Sequence, residues 1–516
     1  MADDNANMKK VLETEAERKE RWKSVYIIYF TTFLMGLSFG IVLTSIWPYL
    51  DSLDPEAGKI FMGWIVAANP MGQMIFSPII GCWSNKSKTF HAPLLFCSAV
   101  FTLSNLWFAT LELFPDNRKY WMFISRFLVG MSSSNVVICR SYIAAATTLE
   151  ERTKAMSMLA LMQVLGFTVG PAIQAAVSPL GSQSSHYVFG LFPVNMYTVI
   201  GWLNVFCGAL NFICCLPIVL KYKLIAARQI MLIQNVESEK ATWKSRKPDY
   251  LTAFTLISAF GTLNFVFSLL ESLGAPMSMD QFGWTKREAL FYMGTLMAVG
   301  AVVAIFGSLS IAPLSRLLGE NKLLIWVGFM LMIVASLFGI PWGPHFPPIA
   351  EEVTYNNTGS IFGGSGFENV TEVVGCPVTQ EWCQYTPALT LVQFIICYVL
   401  VSLGYPIAIA LIPTIFTKVL GPRPQGTWMG MMIGSGCFAR MLGPIFITFI
   451  YTTYGTQWSF SLISLFQTIM FLWLLLLEKR FTSVINSHLK RLGDEKDNAI
   501  DVEIVPLSDP EKIPKS

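Results

Sequence analysis

Four ionisable side chains stand inside the long apolar runs of this 516-residue chain: Arg126, Arg140, Glu271 and Arg440. Arg440 poses the sharpest question, because the stretch around it, MIGSGCFARMLGPIFITF (432–449), otherwise reads as the middle of a membrane-spanning helix. A guanidinium does not lose its proton in a protein, and a central Arg costs about 2.5–3.5 kcal/mol on insertion scales. It must therefore face protein or a water-filled cavity, with a carboxylate, backbone carbonyls, neutral amides or a mobile anion as acceptor. The chemistry on offer is attraction of negative charge. The 4 His show no metal-ligand spacing, and no phosphate loop, HExxH or GxSxG motif occurs. The expectation is a protein that is no enzyme, with no catalytic residues, no metal and no cofactor.

The elements that must hold these charges follow from composition. Hydrophobic residues make up 53% of the chain and charged residues 13%, about half the share expected of a soluble domain. The mean hydropathy is +0.52. The apolar runs are long enough to cross a ~30 Å hydrocarbon core at about 20 residues each. Twelve spans are predicted, at 25–50, 61–83, 92–112, 121–145, 154–178, 195–220, 250–272, 289–311, 322–343, 387–413, 427–452 and 457–478. The first run is too long for a signal peptide and has no cleavage site, so it is expected to remain as a span. The fold class is an all-α polytopic membrane protein of six plus six helices.

Most of the 36 Lys and Arg fall on the side that carries both ends of the chain, which places both termini in the cytosol. The domain plan is then a cytosolic tail (1–24), a first six-helix bundle (25–220), a cytosolic linker (221–249), a second bundle (250–478) with a lumenal loop at 344–386, and a cytosolic tail (479–516). That loop contains no Lys or Arg and two glycosylation sequons, at Asn356 and Asn369. It also holds Cys376 and Cys383, which are either a disulfide or two free thiols in a disulfide-permissive compartment. The net charge of +3 is spent on topology and implies no nucleic-acid partner. The partners expected are the lipid bilayer and a small solute.

Counting depth along the predicted spans puts Arg126 and Glu271 near the lumenal face, within reach of water or headgroups. Arg140 falls a turn or two inside the cytosolic face, and Arg440 near the midplane. The only acid within a span is thus at a different depth from Arg440. Three cations against one anion lower the entry barrier for anions.

Short motifs connect the two halves. GCWSNKSK (81–88) follows span two and APLSRLLGENK (312–322) follows span eight. SRFLVGMSSSN (125–135) opens span four, and GFTVGPAIQ (166–174) lies in span five. Gly443-Pro444 holds the place in span eleven that Gly170-Pro171 holds in span five. In these motifs the chain resembles the major facilitator superfamily over most of its length, although Asn85 stands where the family's first loop signature carries an acid. The resemblance implies two bundles rocking about a midplane site. Gly166, Gly170, Pro171, Gly443 and Pro444 are read as gating or packing positions, since small residues four apart let helices approach and Pro bends them. It also implies that span two packs beside span eleven, which offers Asn69 and Gln73 as neutral acceptors for Arg440. SIWPYL (45–50), GWIVAANPMGQM (63–74), WCQYTP (382–387) and LGPRPQGTWMG (420–430) are similar to one branch of the superfamily. That branch implies residence in late endosomes and lysosomes and conduction of chloride. No acidic dileucine signal occurs in the tails. Two alternatives stand beside this reading: a proton-coupled exporter of small organic solutes, and a non-transporting membrane scaffold.

Overall fold

A computed structural model describes residues 13–499 apart from 44, 55–56, 88, 178–185, 189–191, 222–224, 227–248, 357–368, 379 and 422–423. Most of the 221–249 linker, part of the first sequon and the tail beyond 499 lie outside the described residues.

The long apolar runs fold as helices because a backbone in hydrocarbon must satisfy its own hydrogen bonds. In the first half these are α1 (Glu15–Leu43), a short α2 (Ile46–Leu53), α3 (Gly58–Ser87), α4 (His91–Ala109), α5 (Arg118–Ser133), α6 (Asn135–Ala146), α7 (Leu149–Val177) and α8 (Thr198–Cys214). Helices α5 and α6 form one span, interrupted at Ser134. In the second half they are α9 (Tyr250–Phe282), α10 (Lys286–Leu318), α11 (Glu320–Phe338, π-wound over Leu323–Phe329), α12 (Leu391–Leu420), α13 (Gly426–Tyr454) and α14 (Thr456–Ala499). Among the described residues, 11 helices are long and apolar enough to cross a membrane, and α8 is a shorter apolar helix. With α8 as the twelfth span, the count matches the sequence expectation.

Both described ends of the chain lie on one face, here called the terminal face. The Ser24 hydroxyl donates to Lys221 O, and Arg480 of α14 pairs with Asp249 at 2.7 Å. The opposite, loop face carries a hairpin of β3 (Glu351–Asn356) and β4 (Asn369–Val374), in which Asn356 and Asn369 are paired positions. A shorter hairpin, β1 (His186–Val188) with β2 (Phe192–Val194), precedes α8. The sulfurs of Cys376 and Cys383 are bonded, with Cα atoms 6.2 Å apart.

Within the first half α1 packs closely on α7. A Cβ on Gly166 would lie 2.2 Å from Phe33 O, and one on Gly170 would lie 2.5 Å from the Gly40 backbone. Gly443 lies within the second half, where a Cβ would fall 2.0 Å from Ser268 Oγ on α9. These glycines therefore close contacts inside the bundles. The seam between bundles is built from other residues, described below. Gly170→Val is expected to destabilise the first half by about 1–3 kcal/mol or more, because backbone cannot yield as a side chain can. A lower melting temperature and yield in a fluorescence-detected thermal screen would register it, and an unchanged melting point would contradict the contact.

Candidate functional site

The two halves touch chiefly toward the terminal face. Along α3 and α13, a Cβ on Gly426 would come 2.4 Å from Gly81 O, one on Gly430 2.4 Å from Ser77 O, and one on Gly434 3.4 Å from Met74 O. The seam thus loosens with distance from that face. Asn85 fastens its tight end, because its Oδ1 accepts from Gly426 N at 2.9 Å and its Nδ2 donates to Thr427 Oγ1 at 2.9 Å. A neutral amide here does the work of an N-terminal helix cap. Beside it, Thr153 of α7 donates to Glu320, which also pairs with Lys418 of α12 at 2.6 Å. Arg152, fully buried, donates to Ala144 O at 2.7 Å and to Thr417 O at 3.4 Å. Arg152 falls between the predicted spans 121–145 and 154–178, and its role at the seam emerges only in the fold.

Arg440 lies 14 residues into α13, where the seam has opened. Contrary to the expectation of a cation without an acid, its Nη2 donates to Glu271 Oε1 at 3.0 Å, and the two side chains are 28% and 26% exposed. Helices α9 and α13 run side by side, with Gly443 against Ser268 and Tyr451 against Asp280, so Glu271 stands about one to two turns beyond Arg440 toward the loop face, and the two long side chains span that offset. The guanidinium also lies 5.5 Å from the Phe39 ring of α1, so it touches both halves.

Among the described residues, Arg140 forms no ion pair, and of the two such buried arginines of the predicted spans, Arg126 and Arg140, it is the one near Arg440. It is 7% exposed, with its guanidinium 5.6 Å from the Phe260 ring of α9, and its Nη1 is buried without a hydrogen-bond partner. It does not extend to the terminal face, as depth counting allowed. Tyr405 and Cys437 lie within electrostatic range of both arginines. The group Arg140, Arg440 and Glu271 therefore shares one interior region with a net charge of one positive unit. A small pocket beside Arg140 is lined by Thr32, Val136, Met156, Leu159, Ile409 and Pro413.

The remaining candidates fall elsewhere. Arg126 does not reach water: it is 4% exposed inside the first half, with its guanidinium 4.1 Å from the Phe108 ring. Gln73 donates to Ser133 O of α5 at 3.1 Å, and the main-chain carbonyl of Asn69 lies against Gly130 of α5; neither is a hydrogen-bond partner of Arg440, whose Nη2 donates to Glu271. No metal-holding cluster of His, Cys, Asp or Glu occurs among the described residues. The aromatic residues of the site, Phe39, Phe260 and Tyr405, carried no sequence signal that separates them from ordinary packing.

Two bundles around a charged interior, joined by a glycine seam, have the architecture of a solute transporter. The chain belongs to the major facilitator superfamily, whose profile matches residues 28–365 and 374–506. It is 35% identical over 493 residues to major facilitator superfamily domain-containing protein 8 of Xenopus laevis, covering 92% of this chain and 95% of that one. It is 26% identical over 314 residues to multidrug resistance protein 2 of Bacillus subtilis, covering 58% of this chain and 69% of that one. Among solved structures, the proton:xylose symporter XylE shares the fold with a TM-score of 0.64 at 11% identity, covering 88% of this chain and 95% of that one.

Proposed function

We propose that this transporter carries small anions, chloride first among them, across the membrane of late endosomes or lysosomes. The observation that carries the reading is Arg140: a buried guanidinium with no carboxylate, beside an Arg440–Glu271 pair that leaves its charge uncancelled. A fixed positive charge in a water-excluded passage lowers the barrier for anions and raises it for cations. The closed terminal face and the looser seam beyond it describe a state open toward the loop face. With the termini in the cytosol, that face is the lumen, which suits the two sequons and the Cys376–Cys383 bond. The compartment rests on likeness to the endolysosomal branch of the family.

The test is chloride efflux from liposomes reconstituted with the full chain. Efflux well above that of empty liposomes, with little flux of potassium under the same gradient, is expected. Efflux no faster than from empty liposomes overturns the reading. A second reading, export of small organic solutes, is favoured by the partly exposed Glu271 and the aromatic rings around the arginines, and by the likeness to the Bacillus protein. Substrate-induced proton movement lost in Glu271→Gln would support it instead.

A further inference from the structure

On the loop face a second ionisable group is held in a way the transport site does not use. Helix α9 continues past its apolar span, through Pro276, and ends at Gly283, which has a positive φ of 63°. Asp280 lies in this last stretch. The hydroxyl of Tyr451, in the last turn of α13, donates to Asp280 Oδ2 at 2.9 Å. Tyr451 is 2% exposed, and the edge of its ring meets Trp382, itself fully buried, at 5.3 Å between centroids. Trp382 belongs to the loop closed by the Cys376–Cys383 bond and covers Gly455, where a Cβ would come 2.6 Å from its ring and where φ is 88°. Gln281, next to Asp280, donates to Thr456 Oγ1 at 3.0 Å and accepts from Leu389 N at 2.7 Å. The ends of α9 and α13, the start of α14 and the lead into α12 thus meet in one knot around a carboxyl.

Among the described residues no Lys, Arg or His forms an ion pair with Asp280, and Tyr451 is the titratable group that faces it. Gln281 of α9, Thr456 of α14 and Trp382 of the loop bring no charge, and the nearest cations in sequence are Lys286 and Arg287 at the start of α10.

We infer that Asp280 is a proton-binding site, and that its protonation fastens the knot joining α9 and α13 to the disulfide loop. Burial pushes its carboxyl up to about 6, partly offset by the Tyr451 hydrogen bond. A carboxyl in water titrates near about 3.9. The assembled knot therefore binds the proton more tightly than an opened one. By linkage, acid favours assembly, and the preference fades as pH rises from the exposed value through the buried one, by about a hundred-fold across that window. The inference does not depend on which solute the protein carries.

The experiment uses the full chain in lipid nanodiscs. A phosphine reductant is added between about pH 4 and pH 8, and alkylation of Cys376 and Cys383 is followed by mass spectrometry. Both sulfurs are buried in the assembled knot. Dividing each rate by that of Asp280→Asn at the same pH removes the reagent's own pH dependence, since the amide stays neutral throughout. The ratio is expected to rise at least ten-fold from the acid to the neutral end, with a midpoint near the carboxyl's own. Tyr451→Phe, which removes the donor to the ionised form, moves that midpoint to higher pH. A ratio that stays flat overturns the inference. If Asp280→Asn fails to fold, rates are divided instead by those of a model disulfide peptide, and a Tyr451→Phe midpoint equal to the parent's overturns it.

Discussion

Arg440→Gln alone should nearly abolish anion flux, and adding Glu271→Gln should return most of it. The parent site holds two cations and one anion, a balance of one positive unit. Removing Arg440 leaves Arg140 against an unpaired Glu271, a balance of zero, with the carboxylate facing the opened seam through which the cargo arrives. Two unit charges about 4 Å apart interact by about 4 kcal/mol at an effective dielectric of about 20. The pair is over a quarter exposed, so solvent screening reduces that figure, and a loss of about ten- to a hundred-fold in flux is the expected scale. Neutralising both partners leaves Arg140 to supply the positive unit, which is why the double variant recovers. Arg140→Gln should lower flux as far as Arg440→Gln does, and Glu271→Gln should not rescue it, because Arg440 would then sit at the open end while the passage beyond it is neutral. The measurement is chloride efflux per reconstituted protein, with surface or vesicle abundance equalised. A double variant no faster than Arg440→Gln would show that the pair matters for structure alone, and parent-like flux in Arg440→Gln would remove the site from the pathway.

Arg440 shows how much of the site is written in the sequence alone. Its presence in an apolar run announced an interior site, and that was legible because no lipid-facing helix tolerates such a charge. Its partner was not legible. Depth counted along an apolar run compares backbone positions, whereas the long Arg440 and Glu271 side chains reach across the difference in level between them. Arg140 was found as a residue but not as the unpaired cation, because pairing depends on what the other half brings across. The twelve spans and the six-plus-six division came directly from run length, and α8 falls furthest short of its predicted run. The glycines of α7 were recognisable as close contacts, but which helix they meet is a three-dimensional fact. The motif at Asn85 drew attention through its missing acid, and the structure shows an amide cap on α13 in its place. The knot around Asp280 left almost no trace in sequence: Trp382 and the cysteines marked a loop, while Tyr451 looked like any interfacial aromatic residue.

Gly81→Val is the variant expected to act on the transport cycle itself. In the present state a Cβ on Gly81 would lie 2.1 Å from Gly426 O and 2.6 Å from Gly426 C, and both are backbone atoms of the opposing half. A valine there cannot be accommodated by a rotamer change, so α3 and α13 must separate by about the thickness of a methyl group. Overpacking of this kind costs about 1–3 kcal/mol. The contact exists only while the terminal face is closed, so the cost falls on that state and not on the alternative. The equilibrium then shifts by about ten- to a hundred-fold toward an arrangement open on the terminal face. A transporter that must visit both states loses turnover by a similar factor, while its fold within each half is untouched. This separates Gly81→Val from Gly170→Val, whose contact lies inside one bundle and whose loss shows as instability. Cys139, 1% exposed and lining the small pocket beside Arg140, reports the difference. Maleimide supplied to the terminal face should alkylate it faster in Gly81→Val than in the parent, with the melting temperature nearly unchanged. Equal labelling and equal flux would mean that the glycine seam does not open during transport, and that the two halves exchange solute by a path that leaves α3 and α13 in contact.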